Sequence, residues 1–381
     1  MRSREQVRVA DFCAEMEGSR SVQLSLPGFA AAKRWLEETR EACGAFEWVT
    51  FTYLAWLLAI IALRHRNVAH PGLDFAVHVV IGGSIVLLAR LAARSKNAVV
   101  QFARHWYPLP LYIFFFEELG GLVHAIFAGW FDRWLIAFDH NIAGMHPSVW
   151  MAGFVSPALN DYMQFAYMTY FLYLVVLPAL LYFQHQREAL WTVMVSTALA
   201  HYSVYVISIL LPVESPYYTL AALNTHALSG GCCTALIEFI ERFARVQGAA
   251  FPSAHVAGSM VAILASWRYR RWLFWICLPF FISMCVATVY GRYHYVADVL
   301  AGLAVGTMGF LIGSGLMGYN GALPKLAERN AEGSAQVRMA GVPIGRIFER
   351  ERDGQQARLA PMMPDQLQPD RQAIVRESAR N

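Results

Sequence analysis

His255, His294 and Asp298 are the residues of this chain whose types and spacing suit chemistry. His255 closes the stretch Phe-Pro-Ser-Ala-His at 251–255, and the other two lie in Gly-Arg-Tyr-His-Tyr-Val-Ala-Asp at 291–298. Four residues separate His294 from Asp298, which puts them on one helical face within touching distance. A carboxylate beside an imidazole orients the ring, sets its tautomer and stabilises its charged form, as an acid, a base or a nucleophile requires. Two imidazoles and a carboxylate suit in-line group transfer, in which one histidine attacks and the other protonates the departing oxygen.

The elements between the two stretches must bring them together. Residues 255–267 and 272–290 are apolar runs joined by the basic Arg268-Tyr269-Arg270-Arg271. A hairpin of two spans returns the chain to the membrane face it left. Composition agrees, because 57% of the 381 residues are hydrophobic and 15% charged, against about a quarter charged in a soluble domain. Charge-poor runs near 47–63, 74–92, 107–128, 161–183, 189–211, 254–267, 272–291 and 295–317 predict about eight transmembrane helices. The expected fold class is therefore all-α, a polytopic membrane helical bundle. The run from His255 is short, which predicts a site recessed below the membrane surface.

Of the 31 Lys and Arg residues, 25 fall on the side of this eight-span arrangement that holds both termini and 6 on the other. Positive charge marks the cytoplasmic side, so both termini are expected there, with the histidines facing the periplasm or lumen. No basic start followed by an apolar stretch and a cleavage site is seen in the first 45 residues, so no signal peptide is expected. No basic run interleaved with aromatics points to nucleic acid. The six cysteines show neither disulfide-framework nor metal-ligand spacing, and the transfer chemistry needs no metal or cofactor.

Four segments follow. Residues 1–46 form a cytoplasmic N-terminal segment with an amphipathic helix at 29–42, and 47–106 hold two accessory spans. Residues 107–317 form the catalytic core, and 318–381, rich in Arg, Gln, Pro and Gly, read as a disordered cytoplasmic tail. Residues 234–245 and the aromatic segment 129–160 suit the membrane interface. Gly302, Gly306, Gly309 and Gly313 form a small-residue stripe that allows close helix approach, and Asp298, one turn before it, is expected to point inward. Glu117 and Glu118 lie within the third apolar run, where a carboxylate is costly. Either they bind hydroxyls of a polar head group, or they satisfy a buried partner such as Tyr202 or His201.

Three stretches, Leu-Pro-Val-Glu-Ser-Pro-Tyr-Tyr at 211–218, Phe-Pro-Ser-Ala-His-Val at 251–256 and Tyr-Gly-Arg-Tyr-His-Tyr-Val-Ala-Asp-Val-Leu-Ala-Gly at 290–302, together with Arg-His-Trp-Tyr-Pro-Leu at 104–109, resemble the type 2 phosphatidic acid phosphatase superfamily. Within it they look like the branch containing inositol phosphorylceramide synthases. The resemblance covers roughly 104–317 and implies a six-helix core. It also implies that His294 forms a phosphohistidine, that Asp298 orients it and that His255 protonates the leaving group. The phosphatase pattern has basic residues where Ser208, Ser215 and Thr288 stand here. A phosphate monoester dianion needs such cations more than a singly charged phosphodiester does.

The expectation is therefore a membrane phospholipid head-group transferase of phosphoinositol type, with membrane lipids as donor and acceptor and a ceramide-like acceptor hydroxyl. Arg292 is the expected phosphate ligand, and Ser253 joins Arg292, Glu117 and Glu118 as a substrate-binding candidate. A lipid phosphate phosphatase using the same three residues, and a non-catalytic lipid-binding or transport protein, are the alternatives.

Overall fold

The computed structural model describes residues 27–339 except residue 225, with side chains over 31–318. Among these the chain is helical, and the one extended pairing is an isolated bridge between Val213 and Ala249. The helices are α1 (Pro27–Ala42), α2 (Ala45–Leu63), α3 (Pro71–Arg94), α4 (Ala98–Trp106), α5 (Pro108–Leu122), α6 (Asp132–Ala143), α7 (Pro147–Ala152), α8 (Pro157–Phe183), α9 (Arg187–Leu210), α10 (Pro216–Thr219), α11 (Cys232–Ala244), α12 (Ala254–Tyr269), α13 (Arg271–Tyr290) and α14 (Val296–Met339). Several begin with proline at the first turn, where the missing N–H is no loss and φ is already helical. The expectation of a tail from 318 falls largely on residues 340–381 and on side chains beyond 318, which lie outside the described residues, as do residues 1–26.

Six described helices are long and apolar enough to cross a bilayer: α2, α3, α8, α9, α13 and the Val296–Gly318 part of α14. The third and sixth expected spans correspond to α5 and α12, which are 15 and 16 residues long. The run expected to 128 ends as a helix at Leu122, where side chains distant in sequence meet the carbonyls beyond it. The Ala125 carbonyl accepts from Arg64 Nε at 3.0 Å and Asn67 Nδ2 at 3.0 Å, and the Ile126 carbonyl accepts from Arg64 Nη2 at 2.8 Å. Side chains at the end of α2 thus take the carbonyls that a longer helix would use.

Large apolar side chains cover the outside, including Leu311, Trp275, Ile282 and Val80. Such a surface requires lipid around it, and the protein is an integral membrane helical bundle. Central α9 has Ala198, His201 and Ile209 fully buried and packs against α2, α5, α8 and α12. The glycine stripe lays α14 on two partners. A Cβ on Gly306 would lie 2.4 Å from the Ala257 carbonyl oxygen of α12, and one on Gly313 would lie 2.3 Å from Ser196 Oγ of α9. Only glycine allows this approach, which brings Asp298 against the start of α12.

Candidate functional site

Backbone hydrogen bonds join the two histidine stretches. The Ser253 amide donates to the Asp298 carbonyl at 3.1 Å, and His294 Nδ1 donates to the Ala250 carbonyl at 2.8 Å. Asp298 Oδ2 accepts from the same Nδ1 at 3.3 Å and from the Tyr295 amide at 2.8 Å. Both neighbours of Nδ1 are acceptors, so the proton of a neutral His294 resides on Nδ1 and Nε2 carries the lone pair. Asp298 is fully buried and His294 is 5% exposed. The His255 and His294 ring centres are 6.1 Å apart. His255 Nε2 hydrogen-bonds the Tyr167 hydroxyl at 3.0 Å, and its ring contacts those of Tyr167 and Tyr170. The expected grouping of His255, His294 and Asp298 is present.

Helix α6 supplies the scaffold behind them. Asp139 accepts from the Val296 and Ala297 amides at 2.9 and 3.0 Å, capping α14 from another element. Burial raises its acid pKa above the usual carboxylate value, while the two amide bonds act in the opposite direction. Two turns earlier, Asp132 accepts from the Glu214 and Ser215 amides and from the Tyr295 hydroxyl, the last at 2.8 Å. The opposite face of α6 exposes Trp134, Phe138 and Ile142, as an interfacial helix does. Neither aspartate stood out as functional from the sequence. Their seven-residue spacing on an otherwise aromatic segment was the available signal.

Both histidines line a cavity of about 230 Å³. Glu117, Glu214, Glu241 and Arg245 join them, with tyrosines 167, 170, 205, 218 and 293. Its apolar wall includes Ile113 and Phe171, which are also exposed on the outer surface of α5 and α8. The cavity is therefore open towards the lipid side.

The expected substrate-binding residues divide. Glu117 lines the cavity. Glu118 points away from it, its Oε1 3.0 Å from Nε2 of the buried His78 on α3, so its partner is neither Tyr202 nor His201. His201 instead donates from Nδ1 to the Thr197 carbonyl and pairs with the Tyr170 hydroxyl. Ser253 is fully buried as the N-cap of α12, accepting from the Val256 amide at 3.3 Å. Arg292 does not line the cavity, and its Nη2 donates to the His226 carbonyl at 2.6 Å. Ser208 donates to the Phe251 carbonyl and Thr288 to that of Cys285, so both tie backbone. Arg245, on α11 and its following turn, is the cavity cation that spacing did not single out.

Although the cysteines show no metal-ligand spacing in sequence, Asp161, Cys232 and Cys233 offer ligand atoms within 4.8 Å of one another. Asp161 Oδ1 accepts the Thr234 amide at 2.9 Å near the start of α11.

An all-α membrane bundle with two imidazoles and a buried carboxylate beside a lipid-side cavity defines a class of integral-membrane group-transfer protein. Residues 133–312, which contain all three groups, match the PAP2 superfamily. Over that stretch the chain is similar to this superfamily, and the match supports a phosphatase or phosphotransferase activity. No curated protein and no solved structure was found to match the chain.

Proposed function

We propose that the enzyme transfers the phospho-head group of a glycerophospholipid, of phosphoinositol type, to the hydroxyl of a ceramide-like lipid. His294 Nε2 attacks the phosphorus of the diester, the bond to the diacylglycerol oxygen breaks, and His255 gives that oxygen its proton. In the second displacement the acceptor hydroxyl returns a proton to His255 and attacks phosphorus, and the bond to Nε2 breaks. Asp298 keeps the proton of His294 on Nδ1 and stabilises the charge that forms on the ring.

The observation that carries this reading is the cavity lining, in which three carboxylates and several tyrosines accompany one guanidinium. Carboxylates and phenols bind hydroxyls well, and the carboxylates repel a phosphate dianion, so a polyol joined through a singly charged diester fits better than a monoester. The same lining favours a second head group, a cationic amine, through the carboxylates and the aromatic faces. The Lys and Arg distribution supports cytoplasmic termini and a cavity on the periplasmic or lumenal side. We assign α2 and α3 as an accessory pair beside a core running from α5 to the apolar part of α14.

The test is product analysis by mass spectrometry with the purified protein in vesicles. These contain ceramide and, in turn, phosphatidylinositol, phosphatidylethanolamine, phosphatidylcholine or phosphatidate, with His294→Ala as control. A head-group-bearing sphingolipid formed together with diacylglycerol supports the proposal. Inorganic phosphate from phosphatidate, with no transfer product from any donor, replaces it with a lipid phosphate phosphatase. No product from any lipid overturns both readings.

A further inference from the structure

We infer that Arg245 is the cation that binds the donor phosphate and that Glu241 competes for it. This deepens the transferase reading of the same cavity and rests on it.

Arg245 meets the requirements of such a ligand where the other candidates do not. Its guanidinium pairs with Glu241 one turn earlier, and the two side chains are 27% and 18% exposed. Both line the cavity that holds His255 and His294. Arg245 lies 3.9 Å from the centre of the Tyr217 ring. The Tyr217 amide donates to the Arg292 carbonyl at 3.0 Å, two residues before His294. From the other direction, Arg245 is five residues before Ala250, whose carbonyl accepts the His294 proton. Residues 248–250 are bonded to Val213 at both ends of the bridge, Val213 donating to Gly248 and Ala250 to Val213. The loop carrying Arg245 is thus anchored to the same backbone that fixes His294.

Charge explains why the pairing matters. A guanidinium presents two parallel N–H groups that match two oxygens of a carboxylate or of a phosphodiester. In the resting protein those donors face Glu241, and the cavity carboxylates outnumber its one guanidinium. A diester entering the cavity takes Arg245 and displaces the Glu241 carboxylate. A neutral lipid cannot make this exchange, so the pair selects for a phosphate-bearing donor. The ion pair is therefore a competitor to be displaced, in addition to any stabilising role on α11.

Two variants read in opposite directions test this. Arg245→Ala is expected to raise the KM for the donor lipid, measured as its surface concentration in vesicles, by about 10- to 100-fold, the range of a charged hydrogen bond. Arg245→Lys is expected to recover part of that loss. Glu241→Gln removes the competitor, so it is expected to lower the same KM several-fold, and to have no such effect in the Arg245→Ala background. A role confined to holding α11 predicts lower melting temperatures and lower kcat with KM unmoved, which overturns the inference. So does a higher KM in Glu241→Gln, a variant that keeps the shape of the side chain. The comparison is made in whichever reaction the wild type performs, head-group transfer or phosphate release. Phosphate release by the wild type defeats the transferase reading while still testing Arg245, and transfer with an unmoved KM in Arg245→Ala defeats Arg245 alone.

Discussion

The site has two walls built in different ways. Behind His294, most polar groups face a backbone partner or another member of the motif: Nδ1 on Ala250 and Asp298, Asp298 Oδ2 on the Tyr295 amide, Asp139 on the start of α14, Asp132 on the Glu214 and Ser215 amides, while Asp298 Oδ1 is buried without a partner among the described residues. In front, across the cavity, Glu117 takes no hydrogen bond from a described residue, Arg245 has an exchangeable carboxylate partner, and the rest is largely aromatic and aliphatic. A wall of backbone bonds fixes atoms to within a fraction of an ångström, as attack on phosphorus needs. A wall of side chains from α5, α8 and α11 can change its contents without moving the nucleophile. In the proposed mechanism, attack on phosphorus falls to the rear wall and choice of substrate to the front.

The largest expected effect is at the rear. His294→Gln, which preserves a polar side chain without an attacking nitrogen, is expected to lower turnover by about 10⁴-fold or more with every donor lipid. Activity within tenfold of wild type would move the nucleophile elsewhere. Next comes the scaffold. Asp139→Ala leaves two amides at the start of α14 without their acceptor, at a cost of about 1–3 kcal/mol, and shifts the turn that presents His294. Turnover is expected to fall by about 10- to 100-fold with donor KM little changed, and Asp139→Asn is expected to recover part of it. A change in KM alone would place Asp139 in substrate binding.

The neighbouring carboxylates Glu117 and Glu118 separate the walls further. Glu118→Gln weakens the contact with buried His78 and is expected to lower stability by about 1–3 kcal/mol, with the order of head-group preference kept. Glu117→Gln is expected to leave the melting temperature unchanged and to alter that order. Competition between phosphatidylinositol and phosphatidylethanolamine in one vesicle, read with a thermal melt, distinguishes them. The reverse pattern would exchange their assignments.

This pair also shows where sequence reading stops. Adjacent residues on a helix point about 100° apart, and nothing in the run 107–128 says which direction faces the cavity. By contrast, His255, His294 and Asp298 were legible because a helical hairpin and an i, i+4 spacing determine which ends and faces meet. The glycine stripe was legible for the same reason, since its period matches a helix face. Arg245, Asp132 and Asp139 were not, because they lie on interfacial helices joined by turns, and no period carries through a turn. The end of α5 was overshot because the groups that stop it, Arg64 and Asn67, come from a loop some 60 residues away in sequence.

The smallest expected effect sharpens the contrast at Arg292, the phosphate ligand expected from sequence. Its φ is +65°, the left-handed conformation in which a side chain costs about 1–2 kcal/mol. It ends α13, with the Tyr293 and His294 amides both donating to the Thr288 carbonyl. Arg292→Gly relieves the conformational cost and removes the bond to the His226 carbonyl, worth about 1.5–3 kcal/mol for a charged donor. These partly cancel, so the melting temperature should stay within a few degrees. Since Arg292 does not line the cavity, turnover and donor KM should change by less than about threefold, a margin of roughly 0.65 kcal/mol. A tenfold rise in KM at unchanged stability would show that the guanidinium leaves His226 to reach the phosphate. The front wall would then hold two cations, and the selectivity assigned to Arg245 and Glu241 would be shared with the turn that carries His294.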